Sequence, residues 1–381
     1  MEIKVLASTK VGNSISKEEA IKFSGTSAGI CYMPDTIETL LNEPEEKAIK
    51  RAQSTIQRGH HSVFDHVSYN LCLVGIPKIL AMILNNEGIY TTSEKSARYT
   101  KMQPSKQEED LYLKWIEIYK EEITKAYPNI AEKQVQKLAM ENARYLISVF
   151  TPATTMEYTV SCRQLNYIIQ FFKNYIAEEN ETEFSIQLKP FLQEFIDLTK
   201  EFAIEGLNAN EKAREISLFA KREYAEEYGE CYSTNYKGTF AQLAQAQRHR
   251  TLRYKMDINE FECYIPEIIE NNEKLKEDWK KDMESLKDRF PQGMLININE
   301  RGTAEDFILK CKERLCGCAQ LEIMKQTKIT LDKYIESTSN TNQNVYQYLK
   351  QFESGVRCRF PKFKCTSPCI WGPIKALERH I

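Results

Sequence analysis

Apolar residues recur at spacings of three and four over Leu111 to Lys125, Val135 to Val149 and Lys189 to Ile204, a period that predicts helices. Pro190 is expected in the first turn of the third, where a missing N–H costs nothing. Thr303 to Lys325 keeps the same period, with Thr303 placed to cap and Glu305 and Asp306 suited to the first turn. One stripe of that helix reads Phe307, Cys311, Arg314, Cys318, Leu321, which sets a guanidinium in line with apolar side chains. Met156, Val160, Arg163 and Tyr167 read as a second stripe of this kind. Short β-prone runs, Glu2 to Ala7 and Tyr69 to Val74, lie between the helical stretches. The repeated change of period points to an α+β class rather than an all-helical bundle.

The chain has 381 residues, enough for two domains or one large one. Lys+Arg is 52 and Asp+Glu is 54, so a general nucleic-acid coat is excluded and nucleic acid is not an expected partner. The most apolar stretch, Leu71 to Leu84, is broken by Pro77 and Lys78, and no membrane span is expected. The first residues lack a basic run followed by an apolar one, so no secretory signal and a cytoplasmic location are expected. Eleven cysteines in such a chain suit free thiols or a metal site better than a disulfide framework.

A buried guanidinium is costly unless acceptors satisfy it, so Arg314 and Arg163 each mark either a structural ion pair or a contact to an anionic ligand. Arg248-His249-Arg250-Thr251-Leu252-Arg253 concentrates donors that match phosphate oxygens; the basic last turn of an ordinary helix would look similar. Gly59 to His66 holds three of the five histidines plus Asp65, which could bind a metal or serve local capping. Cys358, Cys365 and Cys369 lie among basic residues near the end. With one of Cys311, Cys316 or Cys318 they would make a zinc or iron–sulfur ligand set, free thiols being the alternative.

The stretch from Gly59 to Tyr99 resembles the core of the flavin-dependent thymidylate synthases. Gly59, His60, Ser62, Asp65 and His66 follow that family's G-H-x-S/T-x-x-E-H, and Ser96, Arg98 and Tyr99 follow the end of its R-H-R-x-x-S-x-N-x-x-S-x-R-Y. Asn85, Asn86 and Glu87 stand where its R-H-R should be. Downstream, ARYLIS and TVSCRQL place Arg144 and Arg163 on family arginines. The second half is similar to the same family through other residues. AQAQRHR keeps Gln245 and Arg-His-Arg, and KERLCGCAQLEI places Arg314 on the family's catalytic arginine, while Glu305 lies where the counterpart of Arg163 should be.

The resemblance implies two related α+β domains with complementary losses: residues 1–205, residues 206–354, and a Cys-rich basic tail at 355–381, with a polar break near Asn208 to Lys212. It further implies Arg314 as catalytic residue, and Gln245, Arg248, Glu94, Ser96, Ala97, Arg98 and Arg144 as substrate-binding residues for a deoxyuridylate-like nucleotide. His60, Ser62, His249, Arg250, Ser161 and Arg163 would contact FAD. The implied activity is reductive methylation of dUMP with methylenetetrahydrofolate and NADPH, in a homodimer that mimics the family's tetramer. A pyrimidine nucleotide C5 hydroxymethylase, or a non-catalytic nucleotide-binding paralogue with a metal-stabilised tail, are alternatives that the same residues leave open.

Overall fold

Short polar side chains set the helix starts. Ser16 accepts from the Glu19 amide while Glu19 returns a bond to the Ser16 amide, and Ser105 and Glu108 repeat the exchange; each pair satisfies otherwise orphaned backbone donors. Ser161, Thr182, Thr239 and Thr303 cap later helices through single side-chain bonds. The computed structural model describes residues 15–95, 102–208, 215–366 and 369–381. The run Glu2 to Ala7, the residues Ser96, Ala97 and Arg98, and most of the break at Asn208 to Lys212 lie outside the described residues.

In chain order the first half contains α1 (Lys17–Tyr32), α2 (Ile37–Leu41), α3 (Glu45–Gln57), β1 (Ser68–Pro77), α4 (Lys78–Leu84), β2 (Tyr90–Glu94), α5 (Lys106–Ala126), α6 (Glu132–Ala143), β3 (Pro152–Ser161), α7 (Cys162–Ala177) and α8 (Glu183–Thr199). The second half continues with β4 (Glu227–Tyr228), β5 (Cys231–Thr239), α9 (Phe240–Ala246), β6 (Arg253–Asp257), α10 (Glu267–Glu270), α11 (Glu273–Glu284), β7 (Leu295–Thr303), α12 (Ala304–Arg314), α13 (Leu321–Thr338), α14 (Gln343–Lys350) and α15 (Gly372–Lys375). The architecture is α+β. Its sheets run β1-β3-β2 and β4-β5-β7-β6. β2 pairs antiparallel with β3, Tyr90 opposite Val160, and β7 pairs antiparallel with β5 and β6, Thr303 opposite Cys231 and Arg301 opposite Arg253.

The halves share an order of elements. A strand of 10 residues, a helix of 7 and a strand of 5 open the first series; lengths of 9, 7 and 5 open the second. Two helices follow in each, then a long strand that inserts between the two strands before it, then two helices in the first series and four in the second.

Contacts gather the chain into two compact units, one of residues 1–73, 89–94 and 156–216, the other of residues 74–88, 95–155 and 217–381. These are not the linear segments 1–205, 206–354 and 355–381. Helices α4, α5 and α6 belong with the C-terminal half because of what they bury. Trp115 and Tyr119 of α5 pack on Trp279 of α11, with ring centroids 4.8 Å and 5.7 Å away, and all three are fully buried. In the first unit α1 lies close on α3: a Cβ on Gly25 would fall 1.9 Å from the Ala48 carbonyl oxygen.

Several local expectations are corrected. The helix expected to run to Val149 ends at Ala143, because the Ser148 amide is taken by the Glu108 carboxylate at 2.8 Å. The helix expected from Lys189 starts at Glu183 under the Thr182 cap, so Pro190 sits inside it; burial of Phe184, Leu188, Leu192 and Phe195 holds that helix despite the lost N–H. Met156 and Val160 lie on a strand and Arg163 and Tyr167 on the next helix, so they are not one helical stripe. Thr303 to Lys325 is two helices, and Arg314 is the last residue of the first. No helix among the described residues is long and apolar enough to cross a membrane.

Behind the second sheet, Lys310 of α12 and Glu300 of β7 form an ion pair of 2.5 Å with both side chains at 0% exposure. Tyr232 and Tyr236 donate their hydroxyls to the same carboxylate at 2.7 Å and 2.8 Å. Breaking such a pair strands a buried charge. Lys310→Met should cost about 3–5 kcal/mol, and Lys310→Met with Glu300→Gln should recover most of it. Urea unfolding midpoints check this; equal midpoints for the single and double variants would refute it.

Candidate functional site

The break after α12 builds the site, which lies wholly in the second unit. Helix α9 ends at Ala246, and residues 248–250 turn before β6. That turn leaves Arg248 and Arg250 exposed and His249 half-buried. Arg314 closes α12 beside it. Its Nε donates to His249 Nε2 at 2.9 Å and its Nη2 to the Gln245 carbonyl at 2.9 Å. Both acceptors are uncharged. Burial, with Arg314 and Lys310 nearby, pushes the His249 pKa down to about 3. The imidazole is therefore neutral, and since Nε2 accepts, Nδ1 carries the proton. Burial and neighbouring Arg248 lower the Arg314 pKa, yet a guanidinium keeps its charge in proteins.

A second chain of bonds runs from the same turn into the core. The Gln245 carboxamide donates to Gln320 Oε1, and Gln320 donates to the Tyr145 hydroxyl. Tyr145 donates to Glu322 Oε2 at 2.7 Å, and Thr239 gives Glu322 its amide at 2.9 Å and its hydroxyl at 2.8 Å. Burial outweighs these donors and raises the Glu322 pKa to about 6. Burial, followed by the Glu322 charge, holds the Tyr145 phenol well above its ordinary value.

A cavity of about 230 Å³ opens where these groups meet. Arg144, Arg248, Arg314 and Lys78 line it as cations, against the single carboxylate Glu141, with Gln245, Tyr145 and Gln320 as neutral donors and acceptors. It falls just under the ~300 Å³ lower end of small-molecule pockets, and its cations suit an anionic ligand. Of the residues expected to bind substrate, Gln245, Arg248 and Arg144 thus share one cavity with Arg314. Glu94, half-buried opposite Met156 at the end of β2, belongs to the first unit.

In the first unit, Asp65 joins two of the expected flavin contacts. Ser161 donates to its Oδ1 at 2.7 Å, and Arg163 pairs with its Oδ2 at 2.6 Å. Arg163 also lies 5.7 Å from the Tyr167 ring centroid. Ser62 and His60 are exposed, and His60 Nδ1 lies 2.9 Å from the Tyr32 hydroxyl. His61 instead packs inward, its Nδ1 2.9 Å from Tyr167 Oη. The histidine run is therefore held by polar packing. Among the described residues, no group of three or more His, Cys, Asp or Glu side chains is already arranged to hold a metal ion.

Asn86 and Glu87 form a structural anchor in the second unit. Asn86 and Glu87 are buried. Asn86 donates to Ser217 Oγ at 2.8 Å and to the Tyr254 carbonyl at 2.9 Å, and Glu87 accepts from the Ser217 amide at 2.5 Å. Sequence reasoning missed Tyr145, Gln320, Glu322, Lys78 and Glu141 as parts of the site. Tyr145 follows Arg144 directly, and Gln320 and Glu322 lie in CAQLEI, so the signal was adjacency to residues already singled out.

The fold and cavity define an α+β protein with a cationic small-ligand site. Residues 15–196 match the model of the family described as thymidylate synthase complementing protein. A flavin-dependent thymidylate synthase of Clostridium tetani (strain Massachusetts / E88) is 29% identical over 176 residues, which are 40% of this chain and 68% of that relative. A solved Helicobacter pylori flavin-dependent thymidylate synthase, complexed with FAD and dUMP, aligns with 50% of this chain and 95% of its own. Its identity of 14% and TM-score of 0.29 carry no argument. The N-terminal half of the chain belongs to the flavin-dependent thymidylate synthase family. The matched region includes Arg144 and Arg163 and ends before Gln245, Arg248 and Arg314.

The raised pKa of Glu322 gives a pH signature. The folded carboxyl holds its proton more tightly than the unfolded one, so its contribution is full below the ordinary value of 4.5 and is lost as pH rises through about 6. Against Glu322→Gln, wild-type unfolding free energy should therefore fall by about 2 kcal/mol between about pH 4 and about pH 7. Parallel urea-unfolding profiles for the two proteins across that range would contradict it.

Proposed function

We propose that this chain is a flavin-dependent thymidylate synthase-type enzyme that methylates deoxyuridylate, using methylenetetrahydrofolate as carbon donor and NADPH as reductant. The observation that carries the reading is the single cavity lined by Arg144 from the first half and by Gln245, Arg248 and Arg314 from the second. Arg144 and Arg248 offer guanidinium forks to a phosphate, with Ser96, Ala97 and Arg98 as further candidates. Gln245 can present its carboxamide to the pyrimidine edge. Arg314 beside the ring favours the N3-deprotonated, electron-rich form, which can bond through C5 to a methylene group without a cysteine nucleophile. Neutral His249 leaves that positive charge undiminished while orienting it.

For FAD, the donors on this chain fit a flavin nucleotide. Arg163 Nε is buried with no hydrogen-bond partner among the described residues, and His60, Ser62 and Arg250 are exposed. Ser161 joins His60, Ser62 and Arg163 of the first unit as the residues that would hold it, and His249 and Arg250 are separate candidates in the second. FAD, when bound, supplies the hydride and methylene-transfer chemistry.

The shared order of elements supports the reading of two diverged copies of one domain. The anchor at Asn86 and Glu87 supports a single working site, since those side chains are committed to packing. We further infer a homodimer that places four copies together; a monomer by light scattering would contradict this.

Purified protein is expected to be yellow and to convert deoxyuridylate to thymidylate. Colourless protein without turnover would overturn the reading, a hydroxymethyl product would reassign it to C5 hydroxymethylation, and nucleotide binding without turnover would make the chain a binding paralogue. Arg314→Ala should lower kcat/KM by on the order of 10²–10³. Arg144→Ala should weaken dUMP binding roughly tenfold or more, read by calorimetry.

A further inference from the structure

The tail after residue 354 is irregular yet packed. Among its described residues the regular structure is a 3-10 turn at Arg357–Arg359 and the four residues of α15. Even so, Val356, Phe360, Trp371 and Arg379 are 7% exposed or less. Segments with so little regular structure usually need a covalent or metal staple.

Five thiols collect where this tail meets the break after α12. Cys318 lies near enough to Cys316, Cys365 and Cys369 to interact with them electrostatically. Cys358 is likewise near Cys316, Cys365 and Cys369. Cys369 lies directly over Gly317, where an added Cβ would fall 2.7 Å from its Sγ. The glycine between Cys316 and Cys318 is thus what lets the third sulfur approach. Cys311, by contrast, is fully buried within α12.

The surroundings call for negative charge. Arg379, 3% exposed, interacts electrostatically first with Glu141 and then with Cys369, Cys316 and Cys318. Its hydrogen bonds go to the carbonyls of Ala319 at 2.6 Å, Ala376 at 2.5 Å and Ile381 at 2.7 Å and to Met324 Sδ at 3.2 Å. Arg357, Arg359, Lys362 and Lys364 lie in the same segment. Four thiolates on one divalent ion leave a net charge of −2, which such cations offset.

We propose that Cys316, Cys318 and Cys369, together with Cys358 or Cys365, bind one zinc ion as a four-thiolate structural site. Among the described residues no three such side chains stand ready to hold a metal ion, so the site closes only as the metal draws the thiols together and displaces their protons. The site pins the loop from Leu315 to Gln320 between Arg314 and the polar chain at Glu322. The tail already grips that loop through the Arg357 amide on the Leu315 carbonyl at 2.7 Å. No step of the proposed catalysis passes through the metal, so this inference stands or falls apart from the methylation reading.

Full-length protein purified without chelator should carry one zinc per chain by elemental analysis. Apoprotein titrated with Co²⁺ should give thiolate charge-transfer bands and the strong d–d bands of tetrahedral cobalt. Cys369→Ser and Cys318→Ser should lose zinc, whereas Cys311→Ser and Cys72→Ser should keep it. The wild-type metal count decides even if a variant fails to fold. Wild-type protein without zinc whose apo form shows no thiolate–cobalt bands would overturn the proposal, as would iron with sulfide and a brown spectrum.

Discussion

A guanidinium must be held half out of water without a carboxylate cancelling its charge, and the rest of the cavity depends on how that is done. Arg314 donates to a neutral imidazole and a backbone carbonyl. An unsatisfied guanidinium there would carry a desolvation penalty, and an ion pair would remove the field that an anionic ligand meets. The neutrality of His249 follows from burial beside cations. The arrangement needs the end of α9, the turn after it and the end of α12 all at once, so each constrains the others.

The polar chain from Gln245 through Gln320 and Tyr145 to Glu322 and Thr239 does for position what Arg314 does for charge. Buried networks of this kind are stable only when every member is satisfied. Tyr145 brings Arg144 with it, since the two are adjacent. A residue from the first half of the chain is thereby held against residues from the second. The Glu322 carboxylate, held by three donors, is the fixed end of that chain.

The Arg-His-Arg turn and the stretch from Asn85 to Glu87 serve different ends. Arg248 and Arg250 are exposed, Arg248 at the cavity, with His249 half-buried between them, whereas Asn86 and Glu87 are turned into the core, bonded to Ser217 and Tyr254. In the first unit Asp65 ties Ser161 and Arg163 into one cluster, so Arg163 is both an ion-pair member and, through its buried Nε, a donor with capacity left.

Local chemistry was legible in the amino-acid order. Thr303 caps α12, Tyr69 to Val74 is strand, α5 spans its expected helix, and the α+β class holds. Spacing could also single out Arg144, Arg163, Arg248 and Arg314 as guanidiniums in unusual company. It could not show where a periodic stretch breaks, because a period of 3.6 continues on paper through Leu315 to Gln320, whereas in the fold the tail and Cys369 occupy that loop. Nor could it group α4, α5 and α6 with the C-terminal half, since burial of Trp115 against Trp279 is a long-range contact that neither segment encodes alone. The residue types and the caps are properties of neighbours along the chain. The cavity, the neutral histidine and the raised carboxyl of Glu322 come from desolvation, which exists only once distant segments have closed over one another.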